Sequence, residues 1–325
     1  MSGTAACVIL LTGREILAAV ESGLQAQGRG QTVIEPRMHL LPDPAFHGHF
    51  NILRGYIASR GVAGVTIVGD YEHNYQAGLP SEFALLNLMD AKTGAPRAIL
   101  DATAITEMRT GAVTAIGARH LAPSHPRILA HIGARGTAYW NERLLDDLFD
   151  FEEIRVHSRR PESRQTFAAR LERDLDKPVT VTDGWQRCLE GADILVEASR
   201  LPAPAPLFKT AWIRPGALVI PYGTMSAVED DITRIMDKIV VDDWGQCLVG
   251  PFGALRRHVD SGQITRETIH GELGDICAGK LPGRESDQET ILLWHRGLST
   301  SDIALGYAIL EKADRLGIGH TLPYA

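Results

Sequence analysis

The sequence predicts an α/β protein: a doubly wound parallel sheet joined to an α+β domain assembled from both ends of the chain. Three observations carry this. The stretch ILAHIGARGTAYWNERLLDDLFDFEEIRVHSRR, Ile128 to Arg160, reads as strand, glycine turn, helix and second strand. Short apolar runs then alternate with helical or turn segments, as parallel crossovers require. The chain closes on a helical pattern, Ser301 to Leu316, that is expected to return to the N-terminal part.

In order, Cys7 to Leu11 is a short apolar run, and Thr12 is the expected N-cap of a helix reaching Gln27, ended by Gly28 and Gly30. Val33 to Arg60 mixes β-prone residues with Arg37, His47, His49 and Arg54. Gly64 to Val68 reads as a buried strand, Asp70 to Leu79 as a loop, and Glu82 to Asp90 as a strand that turns at Ala91 to Gly94 and pairs with Ala98 to Leu100. Thr106 to Leu121 has helical spacing. After the central unit, Val179 to Thr182, Ile194 to Ala198, Ala217 to Pro221, Ile239 to Asp242 and Ile291 to Trp294 are the expected strands, with a short helix near Trp185 to Leu189. The expected division is residues 1–120 with 297–325 as one domain and 121–296 as the other.

With 325 residues, 44% of them apolar, the chain can bury a large core. A net charge of −7 without long like-charge runs argues against a nucleic-acid surface. No apolar stretch is long enough to span a bilayer, and no secretory leader pattern is visible, so a cytoplasmic location without membrane partners is expected. The four cysteines, Cys7, Cys188, Cys247 and Cys277, lack metal-ligand spacing and read as reduced thiols.

In the central unit Gly133 lets the chain turn off its strand, and Gly136, Thr137 and small Ala138 open a helix whose free N–H groups can face a pyrophosphate. The usual G-x-G-x-x-G/A fingerprint has glycine where this chain has Arg135, which either pairs with the pyrophosphate or blocks its approach. At the end of the second strand, Ser158, Arg159 and Arg160 can donate to a 2′-phosphate where an acidic residue would repel it. NADP(H) is therefore favoured, with NAD(H) possible.

Several pieces, in this order, resemble the ornithine cyclodeaminase/μ-crystallin family: Pro36-Arg37, Asn74 with Gly78-Leu79-Pro80, the run Ile99 to Ala122, the turn at Gly133, Pro215-Gly216 with Gly223, Gly271 to Arg284, and Gly297 with Asp302. The resemblance covers nearly the whole chain. It implies a Rossmann-type domain, a dimerisation and substrate domain, a bound NAD(H) or NADP(H), a small amino- or imino-acid substrate and a homodimer. It places Arg37 and Arg109 at the substrate carboxylate, which a guanidinium fork holds bidentately; Arg109 could instead make a structural ion pair. Ser81 and Thr110 match phosphate and ribose contacts, and Ser199, Gly223 and His295 fall in the cofactor-binding set.

Two departures matter. The family's substrate-contacting lysine falls on Thr66, and the acidic residue of the cyclodeaminase subset falls on Met225. Arg54 and Arg296 either add cations to the substrate cavity, as a second substrate carboxylate would explain, or are solvated or paired with Asp70 or Glu72. For a proton donor, His47, His49, His73 and His295 are candidates, His73 first because it adjoins Asn74. The resulting expectation is an NAD(P)H-dependent oxidoreductase acting on the C–N bond of a small, possibly dicarboxylic, α-imino or α-amino acid. The alternatives are a cyclodeaminase-like lyase and a non-catalytic nucleotide- or ligand-binding relative.

Overall fold

The computed structural model describes residues 11–199, 201, 205–221, 223, 225, 227–248 and 255–323. The first helix, α1 (Gly13–Gly28), starts at a reciprocal cap: the Glu15 N–H donates to Thr12 Oγ1, and the Thr12 N–H donates to Glu15 Oε2 at 2.8 Å. The Cys7 to Leu11 run lies outside the described residues except for Leu11. There follow β1 (Thr32–Ile34), β2 (Met38–Leu40), β3 (Gly48–Ile57), β4 (Val62–Tyr71), β5 (Glu82–Asp90) and β6 (Pro96–Asp101). They form an antiparallel sheet of order β1-β3-β4-β5-β6, with β2 also on β3. The register pairs Leu53 with Thr66 and Thr66 with Leu86, so these three share the face turned to the core. The opposite face exposes Val33, Met38, Ile67, Phe83, Leu85 and Ile99.

Helix α2 (Thr103–Leu121) begins three residues earlier than its spacing suggests and is buried nearly all round. Its glycines explain the fit: a Cβ on Gly111 would lie 2.5 Å from the Trp140 backbone, and one on Gly117 2.1 Å from Leu293. A helix buried on every side carries no polar stripe, which is why its sequence shows little amphipathic contrast.

The parallel sheet contains β7 (Ile128–Ile132), α3 (Ala138–Asp146), β8 (Glu153–His157), α4 (Pro161–Leu175), β9 (Val179–Val181), α5 (Trp185–Leu189), β10 (Ile194–Glu197), β11 (Leu218–Pro221) and β12 (Lys238–Val241). Next come α6 (Trp244–Cys247), α7 (Arg256–Asp260), β13 (Gly271–Glu272), α8 (Leu273–Cys277), β14 (Ile291–Trp294) and the final helix α9 (Ser299–Leu316). The sheet order is β13-β12-β14-β11-β10-β7-β8-β9, with every pair parallel. Strand order reverses between β7 and β10, the switch point at whose carboxyl side doubly wound sheets bind ligands. Both faces of the sheet are covered, so the strands read as continuous apolar runs. Leu129, Val196, Ile220 and Leu293 join the core that also holds α1, α2 and the antiparallel sheet, while Ala130, Leu195, Val219 and Trp294 join a second core.

Helix α9 packs back against the antiparallel sheet: a Cβ on Gly64 would strike Ile303, and one on Gly306 would strike Leu86. Among the described residues no helix is long and apolar enough to cross a membrane.

Candidate active site

The glycine turn after β7 has the form its sequence implies. Gly133 sits at φ +112°, and a Cβ there would lie 2.8 Å from the carbonyl oxygen of Ala198, just beyond β10. The first glycine is thus required both by its conformation and by the closeness of the two strand ends at the switch point. Gly136 adopts φ +56°, and Thr137 at the N-cap of α3 makes no side-chain cap bond, while the Ala138 amide that opens the helix donates to the Arg135 carbonyl at 3.3 Å. Arg135 is exposed on the rim of this turn. Beneath, the buried His131 ring lies 3.1 Å from the Gly133 carbonyl and 3.0 Å from Asn141 Nδ2, and burial lowers its pKa to about 4. A neutral imidazole that donates from Nδ1 and accepts at Nε2 satisfies both contacts and braces the turn.

At the end of β8, Ser158 is half-buried and donates its hydroxyl to the Arg160 carbonyl at 3.2 Å, with Arg159 and Arg160 exposed. Ser199, after β10, donates its N–H (2.8 Å) and its hydroxyl to Glu197 Oε1. Glu197 is fully buried, its Oε2 has no hydrogen-bond partner, and burial pushes its pKa up to about 7.

The arginines converge at the end of β14. Arg109 Nε donates to Asp302 Oδ1 at 2.7 Å, both side chains being buried. Gly297, at φ +87°, makes the room: its Cβ would sit 1.6 Å from Arg109 Nη1. Arg37 Nη2 donates to the carbonyls of Arg296 (3.1 Å) and Gly297 (3.0 Å). The N–H groups of those same two residues donate to Asp242 Oδ2 at 2.8 and 2.9 Å. The Arg296–Gly297 segment is therefore gripped from both sides. Burial, then the neighbouring Arg296 and Arg109, lower the Arg37 pKa to about 9 against the opposing pull of Asp302 and Asp242. Arg296 Nη2 lies 3.4 Å from His39 Nε2. Burial, with Arg296 and Arg37, lowers the His39 pKa to about 4.

Other expected residues sit differently. Arg54 lies on the outer face of the sheet, opposite the Thr66 face, and pairs with Glu35 at 3.4 Å, not with Asp70 or Glu72. Its place in the substrate set is withdrawn, because β alternation turns it away. Thr66 is fully buried with an unpartnered hydroxyl, among Leu53 and Leu86, and supplies no charge. Thr110 donates its hydroxyl to the Thr106 carbonyl within its own helix (2.8 Å), which commits its one donor hydrogen. Ser81 is exposed beside β5. His73 is 44% exposed and lies against Glu72 (3.5 Å) and His47, outside the arginine cluster, which removes it as first proton donor. His295 is buried at the end of β14, 3.0 Å from Thr114 Oγ1, and burial with Arg109 lowers its pKa to about 3. It is a neutral ring, not an acid. Gly223, at φ +69°, donates to the His295 carbonyl (3.3 Å), and Met225 is buried in the second core with φ +48°. The anchoring roles of His39, Asp242, Asp302 and Glu197 were not assigned from sequence. Only Asp302 carried a signal, through its place beside Gly297 in the family pattern.

A doubly wound sheet with a glycine turn at its switch point, and a cluster of guanidinium groups gathered at the end of another strand of the same sheet, defines a protein of the dinucleotide-binding fold class. The sequence model of the Ornithine cyclodeaminase/mu-crystallin family matches residues 4–316, and the chain belongs to that family. It is 28% identical to the alanine dehydrogenase of Archaeoglobus fulgidus over 319 residues, 97% of this chain and 95% of the relative. Among solved structures, the Thermococcus litoralis Delta(1)-pyrroline-2-carboxylate reductase in complex with NADH and L-proline superposes with a TM-score of 0.89 at 28% identity, covering 96% of this chain and 97% of that one. An archaeal alanine dehydrogenase dimer with bound NAD matches with the same TM-score and identity over 98% and 97% of the two chains.

Proposed function

We propose that this protein is an NAD(P)H-dependent oxidoreductase acting on the C–N bond of a small α-imino or α-amino acid. The observation that carries the reading is the fixed pair Arg37 and Arg109 around Gly297, at the end of a strand of the sheet that also carries the Gly133 turn. Relatives at 28% identity named for alanine dehydrogenation and pyrroline-2-carboxylate reduction support it. The site residues suit a dinucleotide: the turn is closed by Gly133 against Ala198, and α3 presents uncapped amides toward a diphosphate. When bound, the nicotinamide supplies or accepts the hydride at the substrate α-carbon.

The chain's own part is to hold the substrate. Arg109, locked by Asp302, and Arg37, locked by two carbonyls, take the carboxylate in a fixed orientation, and orientation is a large share of such catalysis. Burial first, and the guanidinium charges second, keep His39 and His295 neutral, so the positive potential is delivered by arginine. Cyclisation of ornithine is disfavoured, because Thr66 is an uncharged core residue and Met225 is packed in the second core.

Four finer readings follow. Arg296, a third guanidinium crowded against Arg37 and Arg109, favours a second carboxylate on the substrate. Ser158, Arg159 and Arg160 favour NADP(H) over NAD(H). The exposed apolar face of the antiparallel sheet favours a homodimer, and the unpaired Cys188, Cys247 and Cys277 suit a reducing, cytoplasmic setting. The test is oxidation of NADPH and of NADH with Δ1-pyrroline-2-carboxylate, with pyruvate plus ammonia, and with oxaloacetate plus ammonia. Turnover that Arg109→Ala abolishes while nucleotide binding persists is the expected result. Turnover equal in wild type and Arg109→Ala overturns the clamp.

A further inference from the structure

His73, outside the arginine cluster, belongs to another constellation. His47 follows the 3-10 turn Pro44–Phe46 and takes φ +49°, a left-handed conformation uncommon for a residue with a Cβ. Its N–H donates to the Pro44 carbonyl at 3.1 Å and its own carbonyl accepts the Glu72 N–H at 3.3 Å, so two separate segments of chain meet here. The His47 and His73 rings are 4.4 Å apart, tilted by 45°, and His73 Nε2 lies 3.5 Å from Glu72 Oε1. One ligand atom from each of the three side chains lies within 4.8 Å of the other two, and all three residues are exposed.

We propose that His47, Glu72 and His73 form a divalent transition-metal site, with Zn²⁺ the best-matched ion and a fourth position left to water. Two imidazoles and one carboxylate suit zinc, whereas calcium and magnesium want all-oxygen shells. Tetrahedral zinc with bonds of about 2.0–2.2 Å sets its ligand atoms roughly 3.4 Å apart. Side-chain rotation at three exposed residues closes the difference without moving the backbone. The thiols compete poorly: burial raises Cys188 and Cys277 to about 12 and raises Cys247 further still. Among the described residues no other group of three histidine, cysteine, aspartate or glutamate side chains is so gathered. Bound metal clips the Pro44–Phe46 turn to the turn leaving β4, which runs straight into the 3-10 segment Asn74–Ala77. The site stands independently of the reading of the arginine cluster.

The test is calorimetric titration of Zn²⁺ into the full-length, tag-free, chelator-treated protein, with thermal melts alongside. One ion per chain with a Kd of roughly 10 μM or tighter is expected, weakened at least about tenfold in His47→Ala and in Glu72→Gln but unchanged in His39→Ala. Zinc should raise the melting temperature of the wild type and not of His47→Ala. Co²⁺ should give the visible absorption of a four-coordinate ion only when His47 and His73 are both present. Binding no tighter than roughly 100 μM, or equal binding by the His47→Ala/His73→Ala double variant, overturns the proposal.

Discussion

Replacing Gly297 by alanine tests the arginine clamp at its tightest point. The added Cβ would lie 1.6 Å from Arg109 Nη1 and 2.5 Å from Cζ. A Cβ essentially never comes within 3.0 Å of another heavy atom, so the guanidinium must retreat by at least about 1.4 Å. It cannot do so freely, because Nε is held 2.7 Å from the buried Asp302. A displacement of about 1 Å in a positioning group already costs on the order of 10²-fold, so kcat/KM should fall at least that much, about 2.7 kcal/mol of transition-state stabilisation. The left-handed backbone adds about 1–2 kcal/mol of strain against folding, and full loss of the buried ion pair about 3–5 kcal/mol more. Steady-state kinetics, nucleotide fluorescence titration and a thermal melt separate these effects. The expected variant is folded but less stable, binds nucleotide normally and has lost turnover. Arg109→Lys, which keeps the charge without a clash but loses the fork, should fold normally and also lose kcat/KM. If either variant keeps wild-type kcat/KM, the guanidinium does not position the substrate.

Other perturbations have equally definite outcomes. Gly133→Ala forces a Cβ to 2.8 Å from the Ala198 carbonyl at φ +112°, and should weaken nucleotide binding at least about tenfold by fluorescence titration. Glu197→Gln tests a buried acid. Its pKa of about 7, raised above 4.5 by burial, keeps the native carboxyl protonated where the unfolded chain ionises. Its contribution therefore grows as pH falls from 7 toward 4.5 and is absent above pH 7. Melts should show the wild type gaining on the variant by about 3 kcal/mol between pH 8 and 4.5. His131, His39 and His295, lowered to about 4, 4 and 3, act with the opposite sign: the unfolded chain takes up protons below pH 6.5 while the native rings stay neutral, so acid erodes stability. Leu85→Lys, on the exposed sheet face at 52% exposure, should yield a folded monomer by light scattering, and an unchanged dimer would place the interface elsewhere.

The parallel sheet was legible because strands buried on both faces leave unbroken apolar runs, and Gly133 marked the switch point by its conformation. The antiparallel sheet was less so. Residues 32–57 hold two short strands and one long one whose pairing depends on register, and one residue of alternation decides whether Arg54 or Leu53 faces the core. The same blindness hid Thr110, whose hydroxyl is spent on its own helix, and the role of Asp242, which reaches Gly297 only through the β12–β14 pairing. Adjacency in sequence misdirected the choice of His73, since neighbouring residues on a turn need not share a pocket. Arg37 and Arg109 were found through the family pattern. Their anchors were not, because carbonyl and amide partners leave no trace in residue type.

The most direct test is the rate of NADPH and NADH oxidation by purified wild-type protein across cyclic and linear α-imino acids, with Arg37→Ala and Arg109→Ala alongside. Turnover with at least one imino acid, lost in both variants while each still binds nucleotide, is the predicted result. Tight nucleotide binding with no NADPH or NADH oxidation on any imino acid, and no NADP⁺ or NAD⁺ reduction on the corresponding amino acids, would contradict the oxidoreductase reading.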